Sequence, residues 1–237
     1  MPEPIPIIGA TGALGWGLAL RLAGAGQPVA IGSRSAERAG EAVARLLEAV
    51  PDAEAEGLVN TDAARRGPIV FLTVPFRAQS ENLNNLREAL EPGQILVDCT
   101  VPTAAAVGGK ATRSLGVWQG SAAQQAQEMV PEGVTVIAAL HTISAPVLGD
   151  PEAELDEDIL ICGDRRADKA RVARVVELIP GLRTVNAGTL DMARIVEQLT
   201  PLLISVNGRY QRVAHIRTML SGVTTPLANA GKMLVTV

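Results

Sequence analysis

Gly9, Gly12 and Gly15 recur at three-residue intervals in Ile7-Ile8-Gly9-Ala10-Thr11-Gly12-Ala13-Leu14-Gly15. Between an apolar run and a helical pattern, such glycines turn the chain tightly, let backbone approach a pyrophosphate, and bring a helix close to a sheet. The open amides of the helix start would then face phosphate oxygens, aided by the helix dipole. Glycine turns also serve plain packing, so a second group matters: Ser33, Arg34 and, one helical turn on, Arg38. An NAD-binding chain would carry an acidic residue there, against the ribose hydroxyls. A hydroxyl and two planar, permanently charged guanidiniums suit a 2′-phosphate instead, which favours NADP over NAD. A third candidate, His141, follows the apolar run Val134–Ala139. Its place at a strand's C-terminal end is where an open sheet binds its ligand.

These groups need strands and helices to hold them. Leu14, Leu18 and Leu22 keep helical spacing, and Gly24 and Gly26 follow, which predicts a helix over 13–24. Residues 28–31 read as the second strand and 35–50 as a helix with Ser35 as its N-cap. Residues 55–59 make a poor strand and 61–64 a short helix. The nearly continuous apolar runs at 68–74 and 95–99 read as buried parallel strands. The first of these runs into Pro75-Phe76, so Thr73, Val74, Pro75 and Phe76 are expected to border a ligand. Helices are expected over 79–90, from Ser121 to Met129, and over 167–179. Strands are expected at 134–139, 159–163 and 183–185. Pro201 lies inside a further helical pattern, 191–206, and is expected to kink it. Strands alternating with helices predict an α/β chain with an open, doubly wound, mostly parallel sheet of Rossmann type. The character changes near residue 164. The expected division is a nucleotide-binding domain over 1–164, a smaller C-terminal α/β domain over 165–223, and a tail over 224–237.

Composition narrows the function. Aromatic residues are only 2% and the net charge is −4, which argues against nucleic-acid binding. No apolar run approaches the ~20 residues of a membrane span, and the N-terminal residues lack a signal-peptide pattern. Two cysteines, Cys99 and Cys162, each within an apolar run, fit a reduced, cytoplasmic protein. His141 and His215 are the only histidines, too few for a metal cluster.

The glycine turn with Ser33, Arg34 and Arg38, then Thr73-Val74-Pro75, Ala139-Leu140-His141-Thr142, Cys162-Gly163-Asp164, Gly181-Leu182-Arg183 and Leu199-Thr200-Pro201-Leu202, resembles the F420-dependent NADP oxidoreductases from Ile7 to about Val223. The resemblance implies hydride transfer between NADP(H) and the deazaflavin coenzyme F420, its ring inserted in a cleft between two domains. It implies that Gly9, Thr11, Gly12, Ala13, Leu14 and Gly15 serve the pyrophosphate turn, and that Ser33, Arg34 and Arg38 hold the 2′-phosphate. Val74, Pro75, Phe76 and Val101 would flank the nicotinamide. His141, Ile143 and Ala145 would line the meeting place of the two rings, with Ala214 nearby in the 207–217 stretch. His141 is the one catalytic candidate. Two positions in that stretch depart from the family pattern, His215 for a glycine and Gly208 for a basic residue. Arg209, Arg212 and Arg217 could meet the acidic tail of F420.

Two alternatives stand beside this reading: an NADPH-dependent reductase of FMN or FAD, and a non-catalytic NADP-binding redox sensor. An imine or ketone reductase is disfavoured, because the single tyrosine, Tyr210, belongs to no Tyr-x-x-x-Lys pair. The partners expected are small redox carriers, with neither nucleic acid nor membrane. The apolar run Leu202–Val206 suggests a homodimer.

Overall fold

The computed structural model describes residues 2–217. The tail expected over 224–237 lies outside the described residues. Eight strands form one sheet: β1 Ile5–Ile8, β2 Val29–Ser33, β3 Ala55–Val59, β4 Ile69–Leu72, β5 Ile95–Asp98, β6 Thr135–Ala138, β7 Glu157–Cys162 and β8 Leu182–Gly188. Their order is β3-β2-β1-β4-β5-β6-β7-β8. All neighbours are parallel except β6 and β7. The chain therefore reverses its direction of growth between β1 and β4, and an open sheet of this kind keeps its ligand crevice there, beyond the strands' C-terminal ends.

The helices are α1 Ala13–Gly24, α2 Ala36–Ala49, α3 Asn60–Ala64, α4 Gln79–Leu86, α5 Ala122–Met129, α6 Ala145–Leu148, α7 Arg166–Val176 and α8 Ala193–Tyr210. Two apolar cores result, one on each face of the sheet. Ile7, Leu18, Leu22, Ile31 and Phe71 belong to one, and Ile8, Val70, Leu72, Leu83 and Leu96 to the other. Strands β1, β4 and β5 are buried at every position, which explains their nearly continuous apolar runs, Asp98 at the end of β5 being the exception.

The elements after residue 164 do not form a separate sheet. Strand β8 pairs with β7 along its length, and β7 joins β6 through Ala138 and Cys162. Strand β7 also begins two residues before its expected start, at Glu157 and Asp158. Both acids are buried, and the Asp158 carboxylate accepts from Arg183 Nε at 2.8 Å, so an ion pair replaces the apolar signal of a strand. Helix α8 runs through Pro201 to Tyr210, four residues beyond the expected end.

Candidate functional site

The turn from β1 into α1 is shaped by its glycines. Gly9 has φ +80°, a left-handed backbone, and a Cβ there would lie 2.6 Å from Val74 Cγ1. Gly9 and Ala10 donate to the Gly32 carbonyl at 3.1 and 3.0 Å, tying the turn to the end of β2. A Cβ on Gly15 would strike the Thr73 hydroxyl and lie 2.7 Å from Ala10 Cα, so this glycine sets how near α1 comes to the sheet. The buried Thr73 hydroxyl donates to the Ile8 carbonyl at 2.8 Å. Gly12 is different. As the N-cap of α1 it has φ −83°, and a Cβ there would meet only the Gly9 carbonyl, at 3.3 Å.

These residues open onto a cavity of about 430 Å³ at the switch between β1 and β4. Of the expected site residues, Gly9, Thr11, Gly12, Ser33, Arg34, Arg38, Val74 and Pro75 line it. Ser35 caps α2 by accepting from the Arg38 amide, which presents Arg34 and Arg38 around the start of one helix. Both guanidiniums are exposed, and neither is ion-paired among the described residues. The cavity thus combines open helix-start amides, a hydroxyl and two free cations, a donor set for a molecule with several phosphates.

Asn60, Arg77, Glu81 and Asn82 also line the cavity and were not foreseen. Asn60 and Asn82 share a side-chain hydrogen bond of 3.0 Å. They reach the site from α3 and α4, and only the pairing of the sheet brings those segments together, so no local spacing announced them.

The remaining expected residues fall outside this lining. Ala13 and Ala145 border a second, shallower cavity that continues from Thr11 and Gly12. Leu14 packs against the core and Gly15 lies beneath the turn. Phe76 begins a short 3-10 turn, Phe76–Ala78, and Val101 follows β5; both are half-buried. Ile143 is buried, and the Ala214 amide donates to Asn207 Oδ1 at 2.6 Å.

His141 follows Leu140, whose φ of +64° is unusual for a residue with a side chain, and such backbone strain clusters at functional sites. The turn is held from two sides. Thr200 on α8 donates to the His141 carbonyl at 2.7 Å. Arg21 on α1 donates to the carbonyls of Leu148 at 3.0 Å and Ala153 at 2.7 Å, fixing α6 and the loop after it. Gly17 allows that approach, since a Cβ there would lie 2.8 Å from the Gly149 amide. His141 is 4% exposed, and neither ring nitrogen has a hydrogen-bond partner among the described residues. Burial pulls its pKa down to about 4, so the ring is neutral at pH 7 with one donor and one acceptor unused.

Behind the turn lies a polar cluster that sequence alone did not mark. Glu197, 2% exposed, accepts from the Ala122 and Ala123 amides at 2.9 and 3.1 Å and so ties α8 to the start of α5. Asp98, at the end of β5, accepts from the Thr100 amide at 2.7 Å and from Gln79. Burial pushes the Glu197 pKa up to about 8 and that of Asp98 up to about 6. A raised carboxylate binds more protons folded than unfolded, so stability is full at low pH and is lost as pH rises through the folded value. The lowered His141 acts the opposite way between about 4 and 6.5. Above pH 6.5, Glu197 is the one of the three still titrating. Urea unfolding is expected to show stability falling by up to about 2 kcal/mol between about pH 6.5 and 8. Glu197→Gln is expected to flatten that slope, and an equal slope in the variant would reject the assignment.

The family described as NADP oxidoreductase coenzyme F420-dependent matches residues 4–102. The F420-dependent NADP reductase of Methanothermobacter thermautotrophicus is 42% identical over 212 residues, covering 88% of this chain and 91% of that protein. The protein of the same name from Methanothermobacter marburgensis is 41% identical, covering 86% of this chain and 92% of its own. A crystal structure from Arthrobacter sp. FB24 shares the fold with a TM-score of 0.71 at 24% identity, covering 91% of this chain and all of that one. With a nucleotide-type cavity at its sheet's switch point and this identity over most of its length, the chain belongs to the F420-dependent NADP oxidoreductase family.

Proposed function

We infer that the chain transfers a hydride between NADP(H) and coenzyme F420. One observation carries this: the cavity at the switch point bears Ser33, Arg34 and Arg38 where a carboxylate would select NAD, in a chain closely related to F420-dependent NADP reductases. The relatives do not favour the flavin-reductase or sensor alternatives. Gly9, Thr11, Gly12 and Ala13 offer their turn to the pyrophosphate, and Ser33, Arg34 and Arg38 bind the 2′-phosphate. Val74, Pro75, Phe76 and Val101 flank the nicotinamide, while His141, Ile143, Ala145 and Ala214 border the second ring.

When both carriers are bound they supply the chemistry between themselves, a hydride passing from one ring carbon to the other. The protein's part is to hold the rings in register and exclude water. The nitrogens of His141 fit this role, because a buried ring with no partner among the described residues can give its hydrogen bond to a bound carrier. The elements after residue 164, α8 above all, close that side of the cleft. Mixing the protein with NADPH and F420 tests the reading: loss of deazaflavin absorbance is expected. Turnover of FMN or FAD alone, or NADPH binding without turnover, would overturn it.

His141 contributes as a neutral donor. With its pKa near 4, it takes up no proton as pH falls from 8 to about 5.5. The kcat is expected to show no histidine inflection in that window, and His141→Ala to lower kcat about tenfold without creating one. An inflection near pH 6.5 that vanishes in the variant would assign proton transfer instead.

We also propose that the chain is a cytoplasmic homodimer. Met192, just before α8, and Ile195 and Leu202 along it are exposed, an apolar stripe that a second copy would cover. Two buried free cysteines fit a reducing compartment, the Cys162 thiol being pushed up to about 11 by burial. Sedimentation at twice the chain mass is expected, and Leu202→Glu is expected to shift it to the monomer. A monomer at working concentration would reject the dimer.

A further inference from the structure

Between β5 and α5 the chain builds a lobe that the site described above does not use. Residues 104–107 form a 3-10 turn, and Thr103 and Ser114 make an antiparallel bridge. The Ala104 amide donates to the Arg113 carbonyl, the Gly109 amide to the Ala104 carbonyl and the Leu115 amide to the Pro102 carbonyl, each at 2.7 Å. Gly108 has φ +79°, and a Cβ on Gly109 would lie 2.8 Å from that of Ala104, so both glycines are needed for the lobe to close. These ties make it a built feature.

The lobe surrounds a cavity of about 750 Å³ whose lining includes Lys110, Thr112, Arg113 and Ser114. Lys110 and Arg113 are exposed, and neither is ion-paired among the described residues. Residues 101–120 contain no acidic side chain, although the whole chain carries a net charge of −4. Two uncompensated cations, two hydroxyls and no carboxylate define a pocket for an anion.

Position names the anion. The lobe's foot is Val101-Pro102, at the C-terminal end of β5, and its 3-10 turn packs beside Phe76–Ala78 at the same edge of the sheet. It therefore stands at the end of the cleft that the proposed function gives to the ring-meeting place, away from Ser33, Arg34 and Arg38. Of the basic side chains elsewhere, Arg77 on the neighbouring Phe76–Ala78 turn lines the first cavity instead, Arg217 is ion-paired with Asp156, and Arg183 is bound to both Asp156 and Asp158.

We propose that this lobe is the subsite for the anionic side chain of the deazaflavin, with Lys110 and Arg113 holding its phosphodiester and carboxylates. The proposal rests on the assignment of F420 as second substrate. Its test compares F420 with the deazaflavin ribityl alcohol, which has the same ring and no anionic extension. Binding is read from deazaflavin fluorescence without NADPH, and KM from turnover with it.

The double variant Lys110→Glu/Arg113→Glu is expected to raise Kd and KM for F420 about tenfold, with those for the alcohol held within about twofold and kcat unchanged. Raising salt from roughly 50 to roughly 500 mM is expected to weaken F420 binding to the natural chain and much less to the variant. An equal effect on both deazaflavins, no effect on either, or a loss that follows Arg209→Ala/Arg212→Ala instead would overturn the subsite. Turnover of the alcohol by the unaltered protein separates this outcome from failure of the F420 reading itself. If neither deazaflavin binds or reacts, both fall together.

Discussion

Arg34→Ala is expected to raise the Kd for NADPH by about ten- to a hundredfold while leaving that for NADH within about twofold. The range follows from a charge-assisted hydrogen bond to a phosphate, worth about 1.5–3 kcal/mol. The asymmetry follows from position. Arg34 stands just beyond Ser33 at the end of β2 and lines the cavity together with Arg38 and Ser33, whereas the turn at Gly9–Gly12, proposed to meet the pyrophosphate, would serve both nucleotides. No ion pair among the described residues holds the guanidinium elsewhere, so its removal leaves no buried acid behind and the fold is expected to tolerate it. Arg34→Lys separates charge from shape. A lysine keeps the attraction but loses the planar fork, and partial recovery of NADPH affinity is the expected result. Titration of both nucleotides by fluorescence measures each. Equal weakening of NADPH and NADH would place Arg34 against the part the two molecules share, and an unchanged preference would remove it from the 2′-phosphate.

That much of the site could be read from the chain because its parts are local. Gly9 to Gly15 fall within one turn and Ser33 to Arg38 within another, so their spacing carries the chemistry before any folding is considered. The central strands were legible for a different reason. Being covered on both faces, β4 is apolar throughout and β5 is apolar up to its terminal Asp98. What escaped depends on long-range pairing. Arg77, Asn60 and Asn82 look like ordinary surface residues until β1, β3 and β4 are assembled. Glu197 resembles any acid on an amphipathic helix. Only the packing of α8 on α5 shows it to be a buried cap for amides 74 and 75 residues away. The start of β7 was hidden because two buried acids, Glu157 and Asp158, stand where an apolar run would mark a strand, and the partner of Asp158, Arg183, is 25 residues distant.

Gly12→Ala and Gly15→Ala are expected to divide the glycine turn into a part that binds and a part that folds. At Gly15 an added methyl meets backbone, the Cα of Ala10, and also the buried Thr73 hydroxyl that donates to the Ile8 carbonyl. Neither neighbour can move without separating α1 from β1 and β4. Overpacking of this kind costs about 3 kcal/mol, which in a chain of this size is a fall in Tm of roughly 6–12 °C. At Gly12 the backbone already has φ −83°, which alanine adopts freely, and the methyl would touch only the Gly9 carbonyl before pointing into open space. Gly12→Ala is therefore expected to keep its Tm within about 2 °C. That open space is the cavity, and the backbone beside it is what a pyrophosphate must approach. The same variant is expected to lose at least about tenfold in affinity for NADPH and NADH alike, because both carry the pyrophosphate. Thermal unfolding and nucleotide titration of the two variants give four numbers, and the prediction is a crossed pattern. A Gly12→Ala protein that binds NADPH normally would move the phosphates away from this turn. A Gly15→Ala protein of unchanged Tm would mean that α1 has room the geometry does not provide.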